Sequence, residues 1–337
     1  MSCLPVPRFL RLAVVSLLWL CGLMMSASAQ WEVKQIDGRD YVCVDGLKKF
    51  YGFDTQKQTG GNIVFENKKV EMQLQTGGVD CQMNGVKFVF SYKVEENAGK
   101  AWISRIDLAK LVDPVLRPNY IGNAGDFRTV VLDPGHGGKD QGAVNAFNTE
   151  SAYNLDVAKR VKELLTKMGY KVLMTREDNT YLTLQERVDF ANKVTDNAIF
   201  ISIHHNSGGS EARGIETFTL SPLGVAHYGR DLKSSDFQEN TGNSHDSANV
   251  ALATAVHGSV TRHLGKNTFD RGIKRARFSV LTGVRLPSIL IECGFMTHPY
   301  EARLIENDAY HNAIAIGIAE AVNKYRNAVS QKPADKP

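Results

Sequence analysis

The sequence has little cysteine and no strong charge of either sign. Its 337 residues include five cysteines, and its formal net charge is +4 at pH 7. The low cysteine content excludes a small scaffold held together by disulfides. The weak charge, with no basic stripe interleaved with aromatic residues, argues against nucleic acid as a partner. With 43% hydrophobic residues, the chain has the composition of an ordinary globular protein, and its length suits two domains.

The sequence also lacks an apolar run long enough to span a membrane comfortably. Its N-terminal apolar run, residues 12–25, follows Arg8 and Arg11 and precedes the small residues Ala27-Ser28-Ala29. This order is typical of a signal peptide, whereas a membrane-spanning helix needs about 20 apolar residues. We therefore expect residues 1–29 to be a signal peptide. The protein would be exported to the periplasm or the extracellular cell envelope, without a membrane anchor.

Three cysteines follow the expected signal peptide, namely Cys43, Cys81 and Cys293. Cys43 and Cys81 lie in one β-rich segment and could pair in an oxidising compartment. The sequence alone leaves this disulfide open. Cys293 would have no partner, and we expect a buried, inert thiol there.

Residues 31–118 consist of short strands separated by turns rich in glycine and asparagine. Asn84-Gly85 is a strong hairpin signal between two of these strands. The pattern predicts a small β-rich α+β domain, and it resembles the accessory domain first described at the start of copper amine oxidases. The sequence shows no cluster of metal ligands here, and a binding or positioning role and a structural role are both open. Residues 119–127 form the expected linker.

The chain changes character at residue 128, where strands begin to alternate with helices. This alternation predicts an α/β fold, with a mostly parallel sheet and helices on both of its faces. The continuous apolar run of residues 198–203 is typical of a central strand that is buried on both sides. We expect this domain to occupy residues 128–326 and residues 327–337 to form a disordered tail.

Four side chains that can carry chemistry stand where these strands end or a helix begins. His136 lies in a glycine-rich turn after one strand, and Glu150 begins the next helix. His204 and Glu292 each end a later apolar strand. Two histidines and one glutamate are a ligand set of catalytic zinc, and the second glutamate would be free to move protons. The spacings do not match a local zinc signature, so residue types alone leave the site a hypothesis.

These residues belong to a series of short blocks along the chain. The blocks are Asp133-Pro134-Gly135-His136-Gly137-Gly138, Gly142-Ala143, Glu150, Thr175-Arg176, Leu184 with Arg187 and Asn192, residues 201–206, Arg271-Gly272-Ile273-Lys274, Val280-Leu281 and residues 291–295. Over residues 128–326 the series resembles the catalytic domain of the zinc-dependent N-acetylmuramoyl-L-alanine amidases of the third amidase family.

The resemblance implies an enzyme that cuts peptidoglycan for cell-wall remodelling or daughter-cell separation. The bond cut would be the amide between the lactyl group of N-acetylmuramic acid and L-alanine. One zinc ion would be bound by His136, Glu150 and His204. Glu292 would be the catalytic residue, taking a proton from water and returning it to the departing amine.

Three assignments near the expected zinc site have alternatives. His204 and His205 are neighbours in a strand, so their side chains point to opposite faces, and the resemblance favours His204 as the ligand. Asn206 and Arg271 are candidate substrate contacts. A guanidinium such as that of Arg271 can bind a carboxylate of the stem peptide through two hydrogen bonds. A structural role is the alternative for both residues.

Two other functions fit the same residues. One is a cell-wall binding protein whose hydrolase site has decayed, and the other is a metal-dependent deacetylase, which would release acetate. Some amidases of this family carry a helix that blocks the cleft until a partner displaces it, so an activator or envelope partner is left open. The polar residues 221–247 lie where such an insertion could sit. They show no apolar stripe, and we expect a mobile loop there.

Overall fold

The computed structural model of the protein describes residues 31–331. The expected signal peptide, residues 1–29, and residues 332–337 of the expected tail lie outside the described residues. In the part that is described, no helix combines the length and the apolar character needed to cross a membrane. The last helix extends to Ser330, so residues 327–330, which were expected to belong to a disordered tail, are helical.

The described residues form fifteen strands and nine α-helices. The strands are β1 (Val33–Ile36), β2 (Arg39–Cys43), β3 (Thr55–Thr59), β4 (Asn62–Glu66), β5 (Glu71–Gln75), β6 (Asp80–Met83), β7 (Val86–Val89), β8 (Glu95–Asn97), β9 (Lys100–Ser104), β10 (Thr129–Pro134), β11 (Lys171–Met174), β12 (Ala198–Asn206), β13 (Ile215–Leu220), β14 (Asp270–Ala276) and β15 (Ser288–Phe295). The α-helices are α1 (Asp45–Tyr51), α2 (Arg105–Asp107), α3 (Asp113–Leu116), α4 (Glu150–Lys167), α5 (Leu184–Asn192), α6 (Asp246–Leu264), α7 (Ser279–Gly283), α8 (Pro299–Ile305) and α9 (Asp308–Ser330). A π-helical turn, Leu108–Val112, joins α2 to α3, and short 3-10 turns lie at Pro118–Tyr120, Ser234–Phe237, Thr241–His245 and Gly265–Asn267.

The larger of the two sheets contains eleven strands in the order β11-β10-β12-β15-β13-β14-β7-β6-β5-β4-β3. From β11 to β15 all neighbours are parallel, and β13 is antiparallel to β15 but parallel to β14. These six strands all come from the α/β part of the chain. The expected α/β fold with a mostly parallel sheet is confirmed.

The β-rich segment continues this sheet rather than standing apart from it. Strand β7 pairs with β14 in parallel through Phe88 and Ile273, and β7 to β3 follow as antiparallel neighbours. The hairpin expected at Asn84-Gly85 joins β6 to β7, and both residues have positive φ angles, 50° and 75°. Strands β1, β2, β9 and β8 form the smaller sheet. The two parts of the chain therefore share one sheet.

Helices cover both faces of the parallel strands, as expected. In β10, Val130 and Leu132 belong to the core that includes residues of α4, α6 and α9. Val131, which points the other way, belongs to a second core with residues of α5 and α7. Because both faces are buried, polar side chains of these strands reach solvent mainly where the strands end.

Local sequence determines where the helix next to this edge begins. The side chain of Thr149 accepts a hydrogen bond from the backbone N–H of Ala152, and this N-cap starts α4 at Glu150. Gly169, with a φ of +84°, follows the C-terminus of α4. The cap places Glu150 in the first turn of α4, directed towards the carboxyl edge of the sheet.

The disulfide that the sequence left open is not formed in this structure. Cys43, Cys81 and Cys293 are all free and buried. Cys43 lies on β2 of the smaller sheet, whereas Cys81 lies on β6 of the larger one. Burial and the neighbouring Glu292 raise the pKa of the Cys293 thiol well above its usual value. A protonated, buried thiol is inert, as expected for Cys293.

Candidate metal centre

Three of the four expected site residues bring their polar atoms together. Nε2 of His136 and Nδ1 of His204 lie 3.2 Å and 3.0 Å from Oε1 of Glu150. Ligand atoms of all three residues lie within 4.8 Å of one another. Donors bonded at about 2.0–2.1 Å to one tetrahedral zinc ion stand about 3.3 Å apart. The donor set thus has the chemistry that zinc prefers, and the two distances to Glu150 match this spacing.

The turn that carries His136 is held by two buried arginines. His136 adopts the left-handed conformation, with a φ of 60°, directly after β10. Arg176 donates hydrogen bonds to the carbonyls of Pro134 and Gly135, at 2.9 Å and 2.8 Å. Arg187 donates to the carbonyls of Pro134 and His136, at 2.9 Å and 2.7 Å. These contacts fix an unusual backbone conformation, so both arginines have a structural role.

Two glycines make room for the ligands. A Cβ atom at Gly135 would lie 2.1 Å from Cε1 of His204. A Cβ atom at Gly142 would lie 2.5 Å from Oε2 of Glu150 and 2.7 Å from Cδ2 of His136. A side chain at either position would displace a ligand, so the site requires glycine there.

Hydrogen bonds from neighbouring residues orient the side chains of His136 and Glu150. Oδ2 of Asp140 lies 2.9 Å from Nδ1 of His136, which leaves Nε2 of the same ring to face the other ligands. Glu150 accepts hydrogen bonds from the backbone N–H of Ala143 at 2.9 Å and from Asn154 at 3.3 Å. Burial opposes ionisation of Glu150, but its bonds to the two histidines hold its pKa well below the usual value. The sequence analysis did not single out Asp140 or Asn154.

Glu292 lies beside the three ligands. It stands opposite His204 in the parallel register of β12 and β15, so the two side chains share a face of the sheet. His136, His204 and Glu292 line one cavity of about 570 Å³, with an apolar wall that includes Leu184 and Phe278. Among the described residues, Oε2 of Glu292 has no hydrogen-bond partner.

The charge state of Glu292 is set by its surroundings. Burial, followed by the negative charges of Glu150 and Glu216, raises the pKa of Glu292 well above its usual value. A carboxyl group in this situation can exchange a proton closer to neutral pH than an exposed glutamate can. The geometry thus places a carboxyl group with a raised pKa beside three side chains that could hold a metal ion.

His205 faces away from the ligand cluster. Its side chain is buried, and its Nδ1 lies 2.8 Å from Oδ1 of Asn154. Burial, together with the charge of His311, lowers the pKa of His205 to about 3, so the ring is neutral. The structure therefore brings His204, and not His205, to His136 and Glu150.

Asn206 and Arg271, the two candidate substrate contacts, both bind Glu216. Asn206 donates to Oε2 of Glu216 at 3.1 Å, and Arg271 donates through Nε to Oε1. Lys274 also donates to Oε1, at 2.6 Å. Neither candidate is among the described residues that line the cavity. These contacts favour the structural alternative for both residues.

Glu216 is a functional neighbour that the sequence analysis missed. It lies on β13, directly opposite Glu292 in the antiparallel pairing with β15, and it is 5% exposed. A signal was available, because a charged residue inside the otherwise uncharged run of residues 215–220 requires a partner when the strand is buried. The partner, Lys274, lies 58 residues away in sequence.

Residues 221–247 do not block the cavity, since none of them lines it in the described structure. One residue of this segment, Asp236, is held by buried contacts. Asp236 is fully buried and accepts hydrogen bonds from Arg230 and Arg277, each at 2.7 Å. A buried carboxylate held by two guanidinium groups cannot leave its site without exposing unpaired charges. The segment is therefore held at Asp236, and the mobility expected for the rest of residues 221–247 stays a prediction.

Comparison with known proteins identifies related sequences for most of the α/β part of the chain. A family model described as N-acetylmuramoyl-L-alanine amidase matches residues 130–324. The chain is 33% identical over 199 residues to the uncharacterized protein YqiI of Bacillus subtilis, covering 59% of this chain and 84% of YqiI. It is 31% identical over 208 residues to the N-acetylmuramoyl-L-alanine amidase LytC of Bacillus subtilis, covering 61% of this chain and 37% of LytC.

A similarity to solved structures covers the same part. The crystal structure of an N-acetylmuramoyl-L-alanine amidase from Clostridium difficile 630 is 31% identical, with a TM-score of 0.49. The match covers 60% of this chain and 98% of that one. The chain thus spans nearly all of this structure but little more than a third of LytC.

Proposed function

Because the chain belongs to the N-acetylmuramoyl-L-alanine amidase family, we propose that it is an exported, zinc-dependent amidase of peptidoglycan. The bond hydrolysed is the amide between N-acetylmuramic acid and L-alanine. The observation that carries the proposal is the convergence of His136, Glu150 and His204 beside Glu292. The signal-peptide pattern of residues 1–29 supports export to the periplasm or the extracellular cell envelope.

The residues of the site have separate roles in this proposal. His136, Glu150 and His204 hold one zinc ion, which when bound polarises a carbonyl and lowers the pKa of a water molecule. Asp140 fixes the ring of His136, and Asn154 supports Glu150. The ligands are therefore oriented before the substrate arrives.

Glu292 transfers the proton. Its unpartnered Oε2 takes a proton from the attacking water as the new C–O bond forms. The same oxygen returns the proton to the nitrogen of L-alanine as the C–N bond breaks. Burial and two neighbouring carboxylates raise the pKa of Glu292, which strengthens its carboxylate as the base that takes the proton from water.

The products distinguish this function from its alternatives. Purified muropeptides are incubated with the protein, with and without a chelator, and the products are analysed by mass spectrometry. We expect peptides with a new L-alanine amino terminus, loss of activity with the chelator, and recovery when zinc is added back. Release of acetate would indicate a deacetylase, and zinc binding without any cleavage would indicate a cell-wall binding protein.

A further inference from the structure

A second cavity, which we call the seam cavity, lies where the β-rich segment meets the α/β part. It has a volume of about 460 Å³. One side is formed by Arg39 and residues 89–92, and the other by residues 225–232 and Arg275. Its volume is in the range of small-molecule and peptide pockets, which is about 300–1,000 Å³.

Arg275, on β14, is incompletely paired at this cavity. It is 5% exposed, and its Nε and Nη2 have no hydrogen-bond partner among the described residues. Its Nη1 donates to Oγ of Ser91 at 3.3 Å. The nearest carboxylate, Asp107, is 3.8 Å away and already accepts from the backbone N–H groups of Ser91 and Tyr92. Buried donors without acceptors are unfavourable, so this guanidinium is suited to a ligand that supplies acceptors.

The other residues of the seam cavity add positive charge. Three arginines, Arg39, Arg230 and Arg275, line it, against one aspartate, Asp231. The guanidinium of Arg39 lies 4.3 Å from the centre of the Tyr92 ring, and it has no ion pair within the described residues. Arg230 is neutralised by Asp236 outside the cavity. Arg275 pairs with the buried Asp107 at 3.8 Å, so Arg39 is the cation without an ion pair, and Arg275 contributes donors that lack acceptors.

The cavity also offers a neutral donor. Nδ1 of His227 accepts the backbone N–H of Arg277, at 2.9 Å, so the proton of the neutral ring is on Nε2. Burial, followed by the charges of Arg230 and Arg277, lowers the pKa of His227. The seam cavity is therefore lined by several hydrogen-bond donors, and Arg39 is its arginine without an ion pair in the described structure.

We propose that the seam cavity is a binding site for a peptide carboxylate, held by the guanidinium groups of Arg275 and Arg39. A guanidinium binds a planar carboxylate through two parallel hydrogen bonds, and the ring of Tyr92 supplies an apolar wall. Stem peptides of peptidoglycan carry carboxylates, and this identification of the ligand rests on the proposed function. The choice of a small acidic peptide as the class of ligand follows from the residues of the cavity and does not rest on the proposed function.

The position of the seam cavity fits a site that assists the metal centre. His227 lines the seam cavity and Phe278 lines the metal-site cavity, and the two rings are 5.4 Å apart. The seam cavity is complete only when the β-rich segment is docked, since Arg39 and Tyr92 come from that segment. A ligand that binds there stabilises the docked arrangement by mass action.

The test uses the full zinc-loaded protein and L-alanyl-D-glutamate, a dipeptide with two free carboxylates, in titration calorimetry. Its diamide is the matched control. We expect the diamide to bind at least tenfold more weakly than the dipeptide. Arg39→Ala and Arg275→Met should each weaken dipeptide binding at least tenfold, with circular dichroism and melting temperature as checks of folding. Glu292→Ala should leave dipeptide binding unchanged, because it alters only the metal-site cavity.

Several results would overturn the proposal. Equal binding of dipeptide and diamide would exclude recognition of a carboxylate. Unchanged affinity in Arg39→Ala, which alters a partly buried side chain, would exclude the seam cavity as the site. Competition by inorganic phosphate as strong as by the dipeptide would indicate a general anion site. Dipeptide binding without amidase activity would contradict only the proposed function, whereas activity without dipeptide binding would contradict only the seam site.

Discussion

The two halves of the eleven-stranded sheet belong to one hydrogen-bonded sheet but differ in the direction of their strands. Parallel strands such as β10, β12 and β15 all end at one edge, so side chains at their ends gather in one place. In the antiparallel half, from β7 to β3, neighbouring strands end at opposite edges. Ligands at strand ends would be separated there. The difference teaches that the topology of the sheet, and not its size, determines which half can assemble a metal centre.

The halves also differ in where they place charge. In the parallel half Glu216 and Lys274 form a buried pair, with 6% and 3% of their side chains exposed. In the antiparallel half Lys87 and Asp80 form a pair at the surface, with 30% and 59% exposed. Removing one partner of a buried ion pair strongly destabilises the folded protein, whereas an exposed ion pair contributes little to its stability. Matched substitutions in the two halves should therefore have unequal effects.

The largest contrast is expected in activity, between Glu292 and a glutamate of the antiparallel half. Glu292→Ala should lower turnover of muropeptides by about 10²–10⁴-fold, the usual contribution of a general acid or base. Zinc content and melting temperature should be preserved, because the substitution removes an unpartnered carboxyl group. Glu71→Ala on β5 is the control and should leave turnover unchanged. Normal turnover in Glu292→Ala would contradict the role of Glu292.

The next contrast concerns stability. Lys274→Met leaves Glu216 with one fewer cation in a buried site and should reduce the free energy of unfolding by about 3–5 kcal/mol. Lys87→Met removes an exposed pair and should reduce it by less than about 1 kcal/mol. Urea denaturation of both variants measures the difference. A similar reduction in the free energy of unfolding for both variants would contradict the expected difference between the two halves.

A smaller contrast is expected between two glycines. Gly135→Ala places a methyl group against His204 and should cost about 1–3 kcal/mol of stability, with weaker zinc binding. Gly78→Ala, in the β-rich segment, meets only ordinary contacts and should stay within about 0.5 kcal/mol of wild type. Thermal melts and zinc titration check both. Full zinc affinity in Gly135→Ala would contradict the packing described for His204.

The smallest effect is expected from Asp236, in the segment packed on the parallel half. Bonds to Arg230, and then to other donors, hold the pKa of Asp236 well below its ordinary 3.8. The ionised carboxylate of Asp236 therefore contributes its full stabilisation above about pH 4. This contribution is lost as the pH falls through the pKa that Asp236 has in the folded protein. Because asparagine keeps an acceptor oxygen for Arg230 and Arg277 and removes only the charge, Asp236→Asn should melt roughly 2–4 °C below wild type at pH 7.

The pH dependence supplies the check on Asp236. The difference in melting temperature between wild type and Asp236→Asn should narrow only below about pH 4, where the unfolded carboxyl group becomes protonated. Asp231→Asn, at an exposed neighbour, should show no such difference at any pH. A difference that stays constant down to pH 3 would exclude an electrostatic role for Asp236.

Much of the fold was predictable because it follows from local patterns. The alternation of strands and helices after residue 128 predicted the parallel sheet, and Asn84-Gly85 predicted the hairpin between β6 and β7. The junction of β7 with β14 was not predictable. It depends on Phe88 and Ile273, which are far apart in sequence and carry no mark of their pairing.

The candidate site was predictable to a different degree. Ordered blocks of residues pointed to His136, Glu150, His204 and Glu292, which the structure places together, although their roles stay a prediction. Glu216 could have been found as well, because it is the one charged residue in the run of residues 215–220. Arg275 gave no signal at all, since only the three-dimensional contacts show that its donors lack acceptors.

The left-handed backbone of His136 bears on which substitutions this chain can accept at that position. Two separate demands act on the position, one for an imidazole and one for a residue that tolerates a positive φ. If selection for catalysis were relaxed in a descendant gene, the first demand would disappear while the second persisted. The substitutions accepted there would then be asparagine or glycine, which tolerate a positive φ, rather than any residue. A descendant that had lost catalysis would be recognisable from the residue at this position.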